Sequence, residues 1–76
     1  MDHPVKQLRR ALGMTQEEFA RAVGIHRTRI SQVEHRPNHT LGSKTAIRIA
    51  DVYRAELVRL GITVEDLIRG SRGRAA

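Results

Sequence analysis

Side chains that can read a base or grip a phosphate are concentrated in one short segment of the chain. The segment holds five of them, at Arg27, Thr28, Arg29, Ser31 and Gln32. Arginine can donate two hydrogen bonds to the edge of a guanine, glutamine can pair with adenine, and the threonine methyl group can pack on thymine. On a helical wheel Ile30 and Val33 point to one side, and Thr28 and Gln32 lie nearly opposite. The pattern therefore predicts a helix with one buried face and one face suited to base edges.

The residues before this segment predict a second helix and a tight turn. Thr15 can cap a helix, and Glu18 completes a capping box at the third helical position. Apolar residues within 16–23 recur at helical spacing, and Gly24 follows where a helix end favours a left-handed residue. Two short helices joined at a glycine form a helix-turn-helix, a motif that places its second helix in the major groove of DNA.

Residues 15–34 resemble the helix-turn-helix of the phage Cro and repressor family, the XRE-type regulators. The residues that carry the resemblance are Thr15-Gln16-Glu17-Glu18, Phe19-Ala20, Val23-Gly24-Ile25, Arg27, Ile30-Ser31 and Val33-Glu34. Weaker similarity runs from Val5 to Ile68. The resemblance implies an all-α, five-helix, lambda-repressor-like domain. It also implies a sequence-specific double-stranded DNA-binding transcriptional regulator, in particular a repressor.

Three further helices are predicted around the helix-turn-helix. The first runs from His3 to Leu12 with Asp2 as its cap, and the last begins after Thr63, which forms a second capping box with Asp66. Residues 1–70 are expected to form one DNA-binding and dimerisation domain. Residues 71–76 are expected to form a flexible basic tail.

The fourth helix is predicted as one continuous element from Ser43 to Arg59. Its apolar side is marked by Ala46, Ile47, Ala50, Tyr53, Leu57 and Leu60. Compared with the family that the chain resembles, this helix is longer by about seven residues, which is close to two helical turns. The extension therefore keeps the direction of the buried face, and it makes the geometry of a dimer hard to infer from the family.

Side-chain chemistry and the helical wheel assign DNA contacts to this surface, and the resemblance supports those of Arg27, Thr28, Gln32 and Gln16. Arg27, Thr28 and Gln32 are expected to contact base edges, and Arg29 to contact both bases and phosphates. Gln16, at the first position of its helix, is expected to bind a phosphate, aided by the free backbone N–H groups there. Phosphate contacts are expected at Gln16, Ser31, Arg36, Asn38, His39 and Thr40. The alternatives are a plain solvated face for Arg27, Thr28 and Gln32 and a plain capping role for Gln16. For Arg36, Asn38, His39 and Thr40 the alternative is a loop that is polar without contacting DNA.

Arg9 and Glu34 are assigned a structural role. Arg9 lies four residues after Val5, near the buried stripe of its helix, and Glu34 lies beside Ile30 on the core side of the wheel. The resemblance implies an internal salt bridge between the two. A carboxylate would also repel a phosphate, which makes Glu34 a poor DNA contact.

Positive charge is concentrated in the middle of the chain. Residues 19–50 hold six basic residues and one acidic residue, which accounts for five of the six net positive charges. Twelve of the fourteen basic residues are arginine, which suits bidentate contacts to phosphate and guanine. Such focused charge indicates a polyanion as partner, with a merely solvated basic face as the alternative.

Composition argues against several other functions. The chain has no cysteine, so disulfides and cysteine-ligated zinc are excluded, and no apolar run is long enough for a signal peptide or a membrane helix. His26, His35 and His39 could suggest a metal site, but Pro37 interrupts the helix between the last two. No pair of nucleophile and base stands out, so we expect neither an enzyme nor a bound cofactor.

A homodimer is expected because the extended helix would expose apolar side chains beyond the DNA-binding core. The predicted interface comprises Leu57, Val58, Leu60, Val64, Leu67 and Ile68. Such a dimer would bind a palindromic operator from a cytoplasmic, nucleoid-associated location. The second hypothesis is an antitoxin that binds its own operator and a toxin protein. A module for RNA or a membrane surface ranks third, since stacking aromatics are scarce.

Overall fold

The computed structural model describes residues 3–35 and 41–70, and every regular element within those ranges is helical. Six helices follow one another in the described chain: α1 Pro4–Ala11, α2 Gln16–Val23, α3 Arg27–His35, α4 Ser43–Val52, α5 Arg54–Leu60 and α6 Val64–Arg69. The predicted all-α class is confirmed. Residues 1–2, 36–40 and 71–76 lie outside the described residues, and with them the expected cap Asp2 and the expected basic tail.

Local capping signals set the starts of three helices. Thr15 and Glu18 form the predicted capping box of α2, and Thr63 and Asp66 form that of α6. At α1 the cap is His3, whose Nδ1 accepts the backbone N–H of Val5 at 3.0 Å. Each of these side chains satisfies a backbone donor that has no partner within its helix.

One hydrophobic core is shared by all six helices. α2 packs against α3 and α4, α1 packs against α3, α5 and α6, and α4 also packs against α5 and α6. The buried apolar residues of this core are Val5, Leu8, Phe19, Ala20, Val23, Ile30, Val33, Leu41, Ala46, Ile49, Leu57, Ile62 and Leu67. The helix-turn-helix therefore rests on α1 and α4, and its orientation depends on the whole domain. No helix in the described ranges is both long and apolar enough to cross a membrane.

The prediction of one long fourth helix is wrong. The helix ends at Val52, and a new helix begins at Arg54, because Tyr53 adopts φ −118° and ψ 37°. The described chain therefore has six helices where five were expected. The Tyr53 ring stacks on Phe19 with centroids 5.9 Å apart. The break also directs Leu57 into the core. Burying a leucine stabilises a fold by about 1.5–3 kcal/mol, and this gain offsets the free-energy cost of interrupting the helix.

The break corrects the predicted dimer interface as well. Leu57 is 4% exposed and Leu67 is 0% exposed, so both belong to the core of a single chain. The half-buried residues Leu60, Val64 and Ile68 pack against the same core. Of the six predicted interface residues only Val58 is exposed, at 75%. The apolar patch packs within one chain because α5 and α6 both lie against α1.

The apolar side expected for the fourth helix needs one further correction. The apolar pattern places Ile47 on that side, but Ile47 is 59% exposed, while Ala46 and Ile49 are buried. The helical face that reaches the core is therefore narrower than the apolar pattern suggested. Val52, at the end of α4, is also exposed.

Candidate nucleic-acid interface

The turn between α2 and α3 is fixed by backbone hydrogen bonds and by an arginine of α4. Gly24 has φ +76°, its N–H donates to the carbonyl of Arg21, and the N–H of Ile25 donates to the carbonyl of Ala20. These two bonds form a Schellman motif, which closes the C-terminal end of α2. Arg48 Nη1 lies 3.4 Å from the carbonyl oxygen of Val23 and donates to it. The turn is thereby tied to α4 as well as to its own helices.

The two faces of α3 differ as the wheel predicted. Ile30 and Val33 are buried in the core. Arg27, Thr28 and Arg29 are exposed on the other side. A shallow groove, here called the recognition groove, is lined by Arg27, Thr28, Ser31, Gln32 and His35. The structure thus brings three of the four predicted base-contacting residues together on one open surface, whereas Arg29 is exposed but does not line this groove.

Arg9 and Glu34 form the predicted salt bridge. Arg9 Nε donates to Glu34 Oε2 at 2.7 Å, and Arg9 Nη2 donates to Glu34 Oε1 at 3.0 Å. The Glu34 side chain is 0% exposed, and the Arg9 side chain is 15% exposed. Arg9 Nη1 also donates to the carbonyl of Met14 at 2.9 Å. One guanidinium therefore connects α1, the loop before α2 and the last turn of α3.

Gln16 joins this pair, a contact that the sequence did not predict. Its Nε2 donates to Glu34 Oε1 at 3.1 Å. Because Gln16 is the first residue of α2 and Glu34 lies near the end of α3, the bond spans the helix-turn-helix. The side chain expected to bind a phosphate is thus held by a buried carboxylate.

The network shifts the pKa values of its charged members. Burial raises the pKa of Glu34, but the hydrogen bonds from Arg9 and Gln16 and the charge of Arg9 outweigh it, and the net shift is downward. The hydrogen bond to Glu34 raises the pKa of Arg9 above its ordinary value. Both shifts favour the charged forms, so the pair is ionised over the physiological range of pH.

A second hollow, here called the Gln16 cleft, adjoins the recognition groove. It is lined by Arg9, Thr15, Gln16, Glu17 and Arg27. Arg27 lines both hollows, so the exposed face of α3 continues into the start of α2. Glu34 is the acidic residue of α3, and its burial beside Arg9 leaves Arg27 and Arg29 to set the charge of the exposed face.

Four of the predicted phosphate contacts, Arg36, Asn38, His39 and Thr40, lie outside the described residues. Ser31 is half-buried and lies in the recognition groove beside Thr28 and Gln32, two of the predicted base contacts. Within the described ranges no group of three histidine, aspartate or glutamate side chains is placed to hold a metal ion.

Two further structural residues were missed from the sequence. The capping role of Arg48 has no local signal, because it acts on a carbonyl 25 positions earlier in the chain. His3 could have been recognised as a cap because it directly precedes Pro4 at a helix start. Its ring is buried, and its Nε2 has no hydrogen-bond partner within the described part of the chain.

Comparison with known proteins agrees with this geometry. The model of the helix-turn-helix family matches residues 5–60, from the start of α1 to the end of α5. The match includes every described residue of the recognition groove and of the Gln16 cleft. No curated protein and no solved structure matches the chain.

Proposed function

The chain belongs to the XRE-type helix-turn-helix family of DNA-binding transcriptional regulators, and on this premise we propose that it is a repressor that reads the major groove with α3. The observation that carries the proposal is the exposed face of α3. Arg27, Thr28 and Gln32 lie side by side there, while the opposite face is anchored in the core by Ile30 and Val33.

The proposal gives each residue of the interface a role. Arg27 donates to guanine, Gln32 pairs with adenine, and the methyl group of Thr28 packs on thymine. Arg29 lies at the flank and is shared between a base and a phosphate. Gln16, Ser31, Arg36, Asn38, His39 and Thr40 bind phosphates, which sets the register of α3 in the groove.

Two copies of the chain are proposed to bind one palindromic operator. A two-fold dimer places two recognition helices one turn of DNA apart, about 34 Å. Among the described residues, the large apolar side chains exposed for such a contact are Ile47, Val52 and Val58, at 59%, 52% and 75%. They replace the larger interface that the sequence predicted. A cytoplasmic, nucleoid-associated location follows from DNA binding.

Selection of bound fragments from a pool of random duplex DNA tests the proposal. A palindromic motif is expected, and its half-site spacing reports how the two copies are arranged. Recovery without any sequence preference would contradict a specific regulator. A toxin protein that co-purifies with the chain would support the antitoxin hypothesis instead.

The first prediction concerns Arg27. Arg27→Ala should weaken specific binding by about 1–3 kcal/mol and relax the preference at one position in each half-site. Arg54→Ala is the matched control, because Arg54 is exposed on α5 and forms its ion pair with Asp51. A competition assay with operator variants measures both effects. The assignment fails if Arg27→Ala keeps the sequence preference of the parent.

A further inference from the structure

We propose that Glu34 is a positioning residue for DNA binding, which acts by holding the side-chain amide of Gln16 toward a phosphate in the Gln16 cleft. The inference rests on the proposed function and deepens it. The Glu34 side chain is 0% exposed and so acts through Gln16 without touching DNA. Its role in binding is therefore distinct from its role in stability.

The hydrogen bonds of Glu34 leave Gln16 ready for a second acceptor. Glu34 Oε1 accepts from Arg9 Nη2 at 3.0 Å and from Gln16 Nε2 at 3.1 Å. A primary amide nitrogen carries two hydrogens, so the bond to Glu34 occupies one and leaves the other for a phosphate oxygen. Gln16 is half-buried and lines the cleft, so its amide is already oriented before DNA arrives. Such preorganisation reduces the ordering cost of binding.

Arg9 makes this arrangement compatible with a polyanion. A lone carboxylate behind Gln16 would repel the phosphate that the amide binds. The two hydrogen bonds from Arg9 neutralise Glu34, and the third, to the carbonyl of Met14, fixes the guanidinium beside the cleft. The buried pair therefore supplies a neutral acceptor for Gln16.

The test is a double-mutant cycle read out as DNA affinity. Gln16→Ala is made in the parent and in Arg9→Met/Glu34→Leu, which removes the pair without leaving one charge buried alone. The probe is a fluorescein-labelled random-sequence duplex of about 20 base pairs, roughly two helical turns, and the readout is anisotropy. Gln16→Ala should weaken binding about tenfold in the parent, as loss of one charge-assisted hydrogen bond does. In the double variant the loss should be less than about twofold, because Gln16 is no longer positioned.

Gln32→Ala is the matched control in both backgrounds. It removes a glutamine side chain from the recognition groove, where Glu34 holds no partner in place among the described residues. The loss of DNA affinity that it causes should therefore be equal in the parent and in Arg9→Met/Glu34→Leu. Circular dichroism shows whether each variant is folded. If the double variant does not fold, the side-chain amide signal of Gln16 in the isotope-labelled parent decides. It should shift on addition of the duplex, and a signal unmoved by DNA would overturn the proposal.

Two outcomes of the cycle also overturn it. An equal loss from Gln16→Ala in both backgrounds would show that Gln16 binds without Glu34. No loss in the parent would show that Gln16 makes no phosphate contact. Failure of the parent itself to bind any duplex would instead overturn the proposed function, so the two failures are distinguishable.

Discussion

The buried pair of Arg9 and Glu34 makes the stability of the domain depend on single side chains. Glu34→Ala would leave Arg9, only 15% exposed, without its carboxylate. Breaking such a pair costs up to about 3–5 kcal/mol. We expect urea denaturation to show a correspondingly lower free energy of unfolding, and Arg9→Met/Glu34→Leu to cost less than Glu34→Ala. Equal stability of Glu34→Ala and the parent would contradict a stabilising pair.

His3 predicts a loss of stability in mild acid. Burial lowers its pKa, against the opposing charge of Glu34, and Nδ1 must stay unprotonated to accept the N–H of Val5. A lowered pKa means that the unfolded chain binds the proton more readily once the pH falls below about 6.5. The contribution of His3 to the free energy of unfolding is therefore complete above that pH. It is lost as the pH falls through the lowered pKa that His3 has in the folded chain.

His3→Asn isolates this effect, because asparagine can cap a helix without titrating. Melting temperatures are compared at about pH 7.5 and about pH 5.5, on either side of the ordinary histidine pKa. Between the two pH values, the melting temperature of the parent should fall further than that of the variant. Equal losses would mean that His3 does not titrate with folding.

At this scale, what the sequence reveals depends on whether a residue acts on its neighbours in the chain. The helical wheel places Ile30 and Glu34 on the core side, and the family resemblance pairs Glu34 with Arg9. A helical wheel indicates which face of a helix is buried, but it does not identify the partner of a side chain on that face. The hydrogen bond that Gln16 donates to Glu34, 18 positions away, could therefore not be predicted. The same reason hides the contact between Arg48 and Val23.

Among the helices, the same distinction separates correct from incorrect boundaries. Each of the capping boxes at Thr15 and Thr63 spans only four consecutive residues, and the structure confirms both predictions. The break at Tyr53 has no local signal, because neither glycine nor proline interrupts the helical pattern there. It follows from the stacking of Tyr53 on Phe19 and the burial of Leu57, which only the assembled domain provides.

The turn of the helix-turn-helix can be tested with two glycines in similar conformations. Gly13 has φ +69° and Gly24 has φ +76°, and an L-residue in this region costs about 1–2 kcal/mol. A Cβ at Gly13 meets nothing within 4 Å, whereas one at Gly24 lies 2.9 Å from Arg48 Nη1. Gly24→Ala should therefore destabilise the chain more than Gly13→Ala, because it also displaces Arg48 from Val23.

Thermal unfolding of both variants measures the difference. In an Arg48→Ala background the two substitutions should cost the same, since the displaced contact is already absent. If Gly24→Ala stays costlier there, Arg48 is not the cause. The result would show whether α4 braces the turn that orients α3.

On the scale of the whole molecule, the DNA-binding half and the C-terminal half differ in how well the sequence predicts them. In the first half, α1 and α2 begin at local side-chain caps, and the buried and exposed faces of α3 agree with the wheel. In the second half the sequence predicts six apolar residues, from Leu57 to Ile68, on a surface shared with another copy. The structure uses most of them to close the core of one chain, and this leaves a smaller apolar surface for assembly.

Two adjacent residues of α5 test this arrangement directly. Leu57 is 4% exposed and Val58 is 75% exposed. Leu57→Glu places a carboxylate in the apolar core, at a cost of several kcal/mol that a domain of this size cannot absorb, so we expect an unfolded chain. Val58→Glu places the same group in solvent and should leave the melting temperature nearly unchanged at low protein concentration. A continuous fourth helix predicts the opposite for Leu57, namely a folded monomer, and circular dichroism with sedimentation distinguishes the two.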